Sequence, residues 1–245
     1  MSQDLYQPPD YFLMDELLTE EHKLIRDTAR EWVKREVSPI IEKACQKSEF
    51  PKQIIKGLGE IGAFGSYIPV KYGGHGLDQI SYGLIMQELE RGDSGIRSTA
   101  SVQSSLVMFP IYKYGTEDQK KKYLPGLATG QILPAAAFTE PDSGSDSASM
   151  RLKATKTDGG YLLNGAKAWC TFANRSNCLI VLARTDPDAS KRHKGLSIFF
   201  VDKEPGEKID HPNIKGEPIP TVGYHGMRSY NLAFEDVFVP EENLL

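Results

Sequence analysis

Cysteine is scarce in this 245-residue chain. Cys45, Cys170 and Cys178 are odd in number and show no C-x-x-C spacing, which points to neither a disulfide framework nor a zinc site. Histidine is equally thin: His22, His75, His193, His211 and His225 are scattered without an H-E-x-x-H pattern, so no metal site is expected. An excess of positive charge is also missing. Twenty-nine Lys and Arg face 33 Asp and Glu, a net charge of −4, and no basic stripe interleaves with aromatics, which argues against nucleic acid as a partner. Apolar runs fall far short of a membrane span. The segment Met1 to Asp10 has no basic end, apolar stretch or Arg-rich amphipathic pattern, so secretion and organelle import are unsupported and a cytoplasmic location is expected. No G-x-G-x-x-G follows a strand; the glycines between Pro69 and Gly76 read as a loop.

What is present is an ordinary globular composition, 40% hydrophobic and 25% charged, in a chain long enough for two domains. Its first half has helical spacing. Thr19 is placed to cap a helix with Glu20 and Glu21 in its first turn and Leu24, Ile25, Ala29, Trp32, Val33 and Val37 on one face, up to Pro39. Further helices are expected from Phe50 to Gly62, from Ile80 to Leu89, from about Ser98 to Tyr112, and from Glu117 until Pro125 and Gly126 end the helical region. Between Ser101 and Ser105 the polar residues Gln103 and Ser104 interrupt an apolar face, and they need partners from the chain or from a ligand.

Beyond residue 131 the period changes to two. Leu152 and Ala154 and then Tyr161 to Leu163, joined through Asp158-Gly159-Gly160, read as a hairpin, and the runs 178–183, 196–201 and 230–234 read as strands. The fold class is therefore α+β: a helical domain over residues 1–131, then a β-domain over 132–245 expected to be an antiparallel barrel or sandwich. At the seam lies Phe138-Thr139-Glu140-Pro141-Asp142-Ser143-Gly144-Ser145-Asp146. Its hydroxyls and Cβ-free glycine suit a polar or anionic ligand held between domains, although such a loop is also simply a turn.

That loop resembles the T-E-P-x-x-G-S-D signature of the acyl-CoA dehydrogenases. The likeness extends through Tyr72-Gly73-Gly74-His75-Gly76-Leu77-Asp78, Tyr114-Gly115-Thr116-Glu117-Asp118-Gln119, Asn164-Gly165-Ala166-Lys167-Ala168-Trp169 and Phe234-Glu235-Asp236-Val237. It implies FAD as cofactor, an acyl-CoA substrate, electron-transfer flavoprotein as electron acceptor and a homotetramer. It also implies that Ala136, Phe138, Thr139, Gly144 and Ser145 line the flavin, with Ser145 reaching the CoA arm. Trp169, Cys170 and Thr171 match the family's W-x-T segment beside the flavin, with Cys170 where a β-branched residue is commoner.

The string from Glu88 to Ser98, followed by Ser101 to Met108, resembles the glutaryl-CoA dehydrogenase branch. There the Arg matching Arg97 grips the substrate's distal carboxylate, with the positions of Ser98 and Glu90 nearby. A guanidinium's planar fork suits that task, although Arg97 pairing with Glu90 or Asp93 is the plainer role. The resemblance places the catalytic Glu in a C-terminal helical bundle beyond this chain, so no base is assigned among these residues and the chain alone is expected to be inactive. The alternatives are a short-chain acyl-CoA dehydrogenase or oxidase, and a non-catalytic piece that binds a ligand or partner.

Overall fold

The computed structural model describes residues 10–245; the leader through Pro9 lies outside them. Helix α1 (Glu20–Trp32) begins as expected at Thr19, whose hydroxyl accepts from the His22 amide at 3.2 Å while the His22 ring faces the Thr19 amide. The same ring meets Asp78 at 2.8 Å, and Asp78 caps the later helix that starts at Gln79 by accepting from Ser81 N at 2.8 Å. One histidine thus ties the starts of two packed helices together. Ala29, Trp32 and Val33 are buried, but Leu24 is 67% exposed. At 100° per residue Leu24 lies nearly opposite the stripe of His22, Ala29 and Val33.

A looser π-helical turn, Val33–Val37, ends this helix before Pro39. Short helices α2 (Ile41–Lys47) and α3 (Ile55–Glu60) follow, then α4 (Gln79–Gly92). Helix α5 (Ser94–Ser101) runs through a π-helical stretch, Val102–Met108, into α6 (Phe109–Tyr114), so residues 94–114 form one continuous rod. Helix α7 (Glu117–Ala128) does not stop at Pro125 as expected. Proline there removes only one amide donor, its would-be partner carbonyl belongs to exposed Lys121, and burial of Leu124, Leu127 and Ala128 holds the last turn down.

The second half is a single open sheet of β1 (Pro134–Ala137), β2 (Lys153–Thr157), β3 (Gly160–Thr171), β4 (Cys178–Arg184), β5 (Leu196–Asp202), β6 (Ile214–Pro218) and β7 (Ser229–Pro240). The order is β1-β4-β2-β3-β7-β6, with β5 on the other edge of β4. The expected β2–β3 hairpin is present, with Gly159 at φ 71° in its turn. The expectation of a purely antiparallel sheet is corrected: β1 pairs with β4 in parallel, and β2 meets the end of β4 in parallel. Tight turns announce antiparallel neighbours, but β1 arrives from the helical half and joins β4 only after the chain has made the β2–β3 hairpin. That long crossover is what a parallel pair needs.

Strands β4 and β5 explain how the halves join. Leu179, Val181, Phe199 and Val201 face the core inside the sheet, whereas Ile180 and Phe200 face Ile68, Met108 and Leu124 of the helical half. Both faces are covered, so β4 reads as an unbroken apolar run rather than an alternating one. Phe172 and Met227 make a second joint by packing among Phe50, Leu58 and Ile96.

Candidate active-site cleft

The centre of the site is an irregularity in β3. Its pairing with β7 slips between Lys167 and Cys170, and within that bulge Trp169 adopts φ 59°. A bulky side chain in the left-handed region costs roughly 1–3 kcal/mol, and bulges of this kind re-aim a side chain. Here the result is an indole 57% exposed, although Ala168 and Cys170 on either side are buried. Trp169 forms one wall of a cleft of about 150 Å³ lined also by Val102, Leu106, Ala136, Phe138, Thr139, Ala168 and Thr171. The small residues Ala136 and Ala168 leave room beside the exposed indole of Trp169, whose face offers a planar ring a surface to stack on. A larger cleft of about 550 Å³ opens around Phe50, Arg175 and Arg228. Arg175 and Lys52 there pair with Glu207, and none of the expected cofactor or substrate residues lines it.

Five expected cofactor residues, Ala136, Phe138, Thr139, Trp169 and Thr171, therefore meet in one place. The others are placed differently. The Cys170 thiol turns into the sheet core, where burial pushes its pKa up to about 12, so any contact it makes in the cleft runs through its backbone. Ser143 is buried and donates to Asp146 O at 2.5 Å, while Gly144 and Ser145 are exposed at the tip of the loop.

Arg97 stands before Val102 and Leu106 on the same rod. Its Nε donates to Glu90 at 2.6 Å and its Nη1 to Ser101 Oγ at 3.1 Å. Glu90 also accepts from Ser94 Oγ at 2.6 Å. The Arg97 contact, then that of Ser94, holds the Glu90 carboxyl below its ordinary pKa. Ser98 is buried.

The sequence reading missed Val102, Leu106 and Ala168 as lining residues, because an apolar residue facing a cleft has the same signature as one facing a core. Ser104 finds its partners within the chain: it donates to Ala63 O at 3.0 Å and accepts from Gly65 N at 2.9 Å. Gln103 is satisfied on one side only: its Nε2 donates to Leu127 O, while its Oε1 is buried without a hydrogen-bond partner among the described residues. Glu140 and Lys167 also escaped notice as a pair. They are buried together at 2.9 Å, and desolvation pushes the Lys167 ammonium below its ordinary pKa despite the opposing carboxylate.

A helical half and a mixed sheet thus meet at a cleft lined by residues of both, Val102 and Leu106 from the helices and Ala136, Ala168, Trp169 and Thr171 from the sheet. Residues 19–131 match the acyl-CoA dehydrogenase N-terminal domain and residues 135–237 the acyl-CoA dehydrogenase middle domain; the chain belongs to the acyl-CoA dehydrogenase family. It is 38% identical over 232 residues to (2S)-methylsuccinyl-CoA dehydrogenase of Cereibacter sphaeroides, covering 93% of this chain and 42% of that protein. Among solved structures, glutaryl-CoA dehydrogenase of Mycobacterium smegmatis in complex with FADH2 superposes with a TM-score of 0.85 at 34% identity, covering 95% of this chain and 57% of that one. Butyryl-CoA dehydrogenase of Megasphaera elsdenii gives 0.83 at 33% identity, covering 93% and 59%. The chain thus spans about half the length of these relatives.

Proposed function

We propose that this chain supplies the cofactor cleft and acyl end of an FAD-dependent dehydrogenase that introduces an α,β double bond into a CoA thioester, with glutaryl-CoA as its substrate. The observation that carries the FAD assignment is the exposed indole of Trp169 beside Ala136, Ala168 and Thr171. When bound, FAD supplies the acceptor for the hydride that leaves the β-carbon. Trp169 offers a stacking surface, Thr171 and Thr139 offer hydroxyls at its rim, and Val102 and Leu106 exclude water from one side.

The substrate assignment rests on Arg97. It projects from the rod that lines the cleft, and its charge suits an acyl chain ending in a second carboxylate. Methylsuccinyl-CoA and glutaryl-CoA, the compounds for which two of the relatives are named, both have that chemistry. No carboxylate lines the cleft among the described residues, so the base that removes the α-proton is assigned to residues outside this chain. Electron-transfer flavoprotein is the proposed electron acceptor, and a cytoplasmic homotetramer the proposed working form. Adding glutaryl-CoA anaerobically to the FAD-loaded full-length protein should bleach the flavin absorbance. Bleaching by butyryl-CoA but not by glutaryl-CoA would move the assignment to the short-chain branch, and no bleaching by any acyl-CoA would remove it.

A further inference from the structure

The loop that begins at Phe138 leaves the sheet as soon as β1 ends at Ala137. What holds it afterwards is a pair of consecutive residues on β3. Lys167 donates from Nζ to Phe138 O at 3.0 Å and to Glu140 at 2.9 Å. Ala168 N donates to Thr139 O at 2.8 Å. Trp169, next in line, is the wall of the cleft. Residues 138–140 are thus docked on Lys167 and Ala168, and Phe138, Thr139, Ala168 and Trp169 all line the cleft. Any slip between the two segments changes its width.

The Glu140 carboxylate completes the clamp from the other side. It accepts from Arg151 N at 2.6 Å and Leu152 N at 2.9 Å, so the return of the chain into β2 is fastened to the same charge. Lys167 is 0% and Glu140 6% exposed. A buried ion pair is a weak source of stability, because desolvating two charges offsets most of their attraction and an apolar pair of similar volume often serves as well. Its geometry, by contrast, is demanding. Because one buried ammonium serves both the Phe138 carbonyl and the Glu140 carboxylate, the pair's value lies in what it holds still.

We propose that the Lys167–Glu140 pair is the positioning device of the cofactor cleft, holding Phe138 and Thr139 against Ala168 and Trp169 and so setting both FAD affinity and the environment of the bound ring. This rests on the functional reading above. Neither residue touches the cleft; both act through the four that do. Outer contacts that orient ligating groups are worth roughly 10–100-fold in affinity where they have been measured at metal sites, and a comparable effect is expected here.

The test uses the full-length protein with Lys167→Met and Glu140→Gln, and Glu88→Gln as the control. Glu88 is 1% exposed and accepts from Arg30 Nε and Nη2 at 3.0 and 2.9 Å, so its substitution, like Glu140→Gln, removes a buried, ion-paired carboxylate, here within the helical half. FAD affinity is read from flavin fluorescence, the surroundings of the ring from the visible absorbance band, and general damage from the Tm of the apoprotein. The cleft variants should lose about tenfold or more in affinity and shift the band, whereas Glu88→Gln should lower Tm and leave both flavin signals in place. Where Lys167→Met does not fold, Lys167→Arg and Glu140→Asp keep the charges, change the spacing and should move the same two signals. Wild-type protein that takes up no FAD overturns the functional reading together with this inference. Wild-type uptake with unchanged cleft variants, or with Glu88→Gln moving the flavin signals equally, overturns this inference alone.

Discussion

Arg97 and Glu90 meet at 2.6 Å across the junction of α4 and α5, and the guanidinium spends a second nitrogen on Ser101. The arginine is therefore held in place before any ligand arrives, with part of its fork already engaged. For a substrate carrying a distal carboxylate this is a compromise: Glu90 orients the cation and also competes for it.

Arg97→Ala in the full-length enzyme should cripple turnover of glutaryl-CoA and leave a short monocarboxylic acyl-CoA comparatively unaffected. Leaving a buried carboxylate without its cation costs about 3–5 kcal/mol, roughly two to four decades of discrimination. Arg97→Lys should recover little, because the planar fork is lost. Glu90→Gln should lower KM for glutaryl-CoA by removing the competing charge. Equal losses on both substrates with Arg97→Ala would make the residue structural.

Trp169 carries the second prediction. The only other tryptophan is Trp32, buried among the helices, so Trp32→Phe isolates the fluorescence of Trp169, which FAD should quench on titration. Trp169→Gly should weaken FAD binding yet leave the apoprotein at least as stable. Glycine enters φ 59° without strain, and a side chain 57% exposed loses little burial when removed. Unchanged FAD affinity in Trp169→Gly would show that the indole is not part of the cofactor site.

Stability below neutral pH should depend on Asp78. Its bonds to the Ser81 amide and to His22 lower its pKa to about 2. A carboxylate depressed in the folded state stabilises the fold above its unfolded value, about 3.9, and that contribution fades as pH falls from there through about 2. Asp78→Ala should cost about 1 kcal/mol at pH 7, the usual worth of a helix cap. Asp78→Asn keeps a good cap and should recover most of that loss while flattening the acid dependence. Urea unfolding at pH 7 and at pH 3 separates the two effects.

The elements that could be read in the sequence are those whose signals are local. Thr19, the strand-length apolar run of β5 and the turn at Gly159 each carry their own chemistry. The parallel partner of β1 and the continuation of α7 past Pro125 depend on contacts far along the chain. The site divides in the same way. Phe138, Thr139, Trp169 and Thr171 were found through their likeness to a family motif, because a lone tryptophan in a strand reads as core. Val102 and Leu106 carry the periodicity of any buried helix face, and only the bulge at Trp169 shows which apolar residues border a cleft. Lys167 and Glu140 lie 27 positions apart, and nothing local marks them as a pair.

The last prediction is that these 245 residues bind FAD weakly and do not turn over acyl-CoA. Removing the α-proton needs a base within about 2.6–3.2 Å of its partner, a contribution typically worth 10²–10⁴-fold. Glu140, next to Thr139, and Glu90, the partner of Arg97, are both committed: Glu140 to Lys167 and two backbone amides, Glu90 to Arg97 and Ser94. Freeing Glu140 would unpair a buried lysine, and freeing Glu90 would release the cation proposed to hold the substrate. A dye-reduction assay on this chain with FAD and glutaryl-CoA should therefore stay at background, and Glu140→Gln should not change it. Turnover near that of a full-length relative, lost on substituting either glutamate, would place the base within this chain after all.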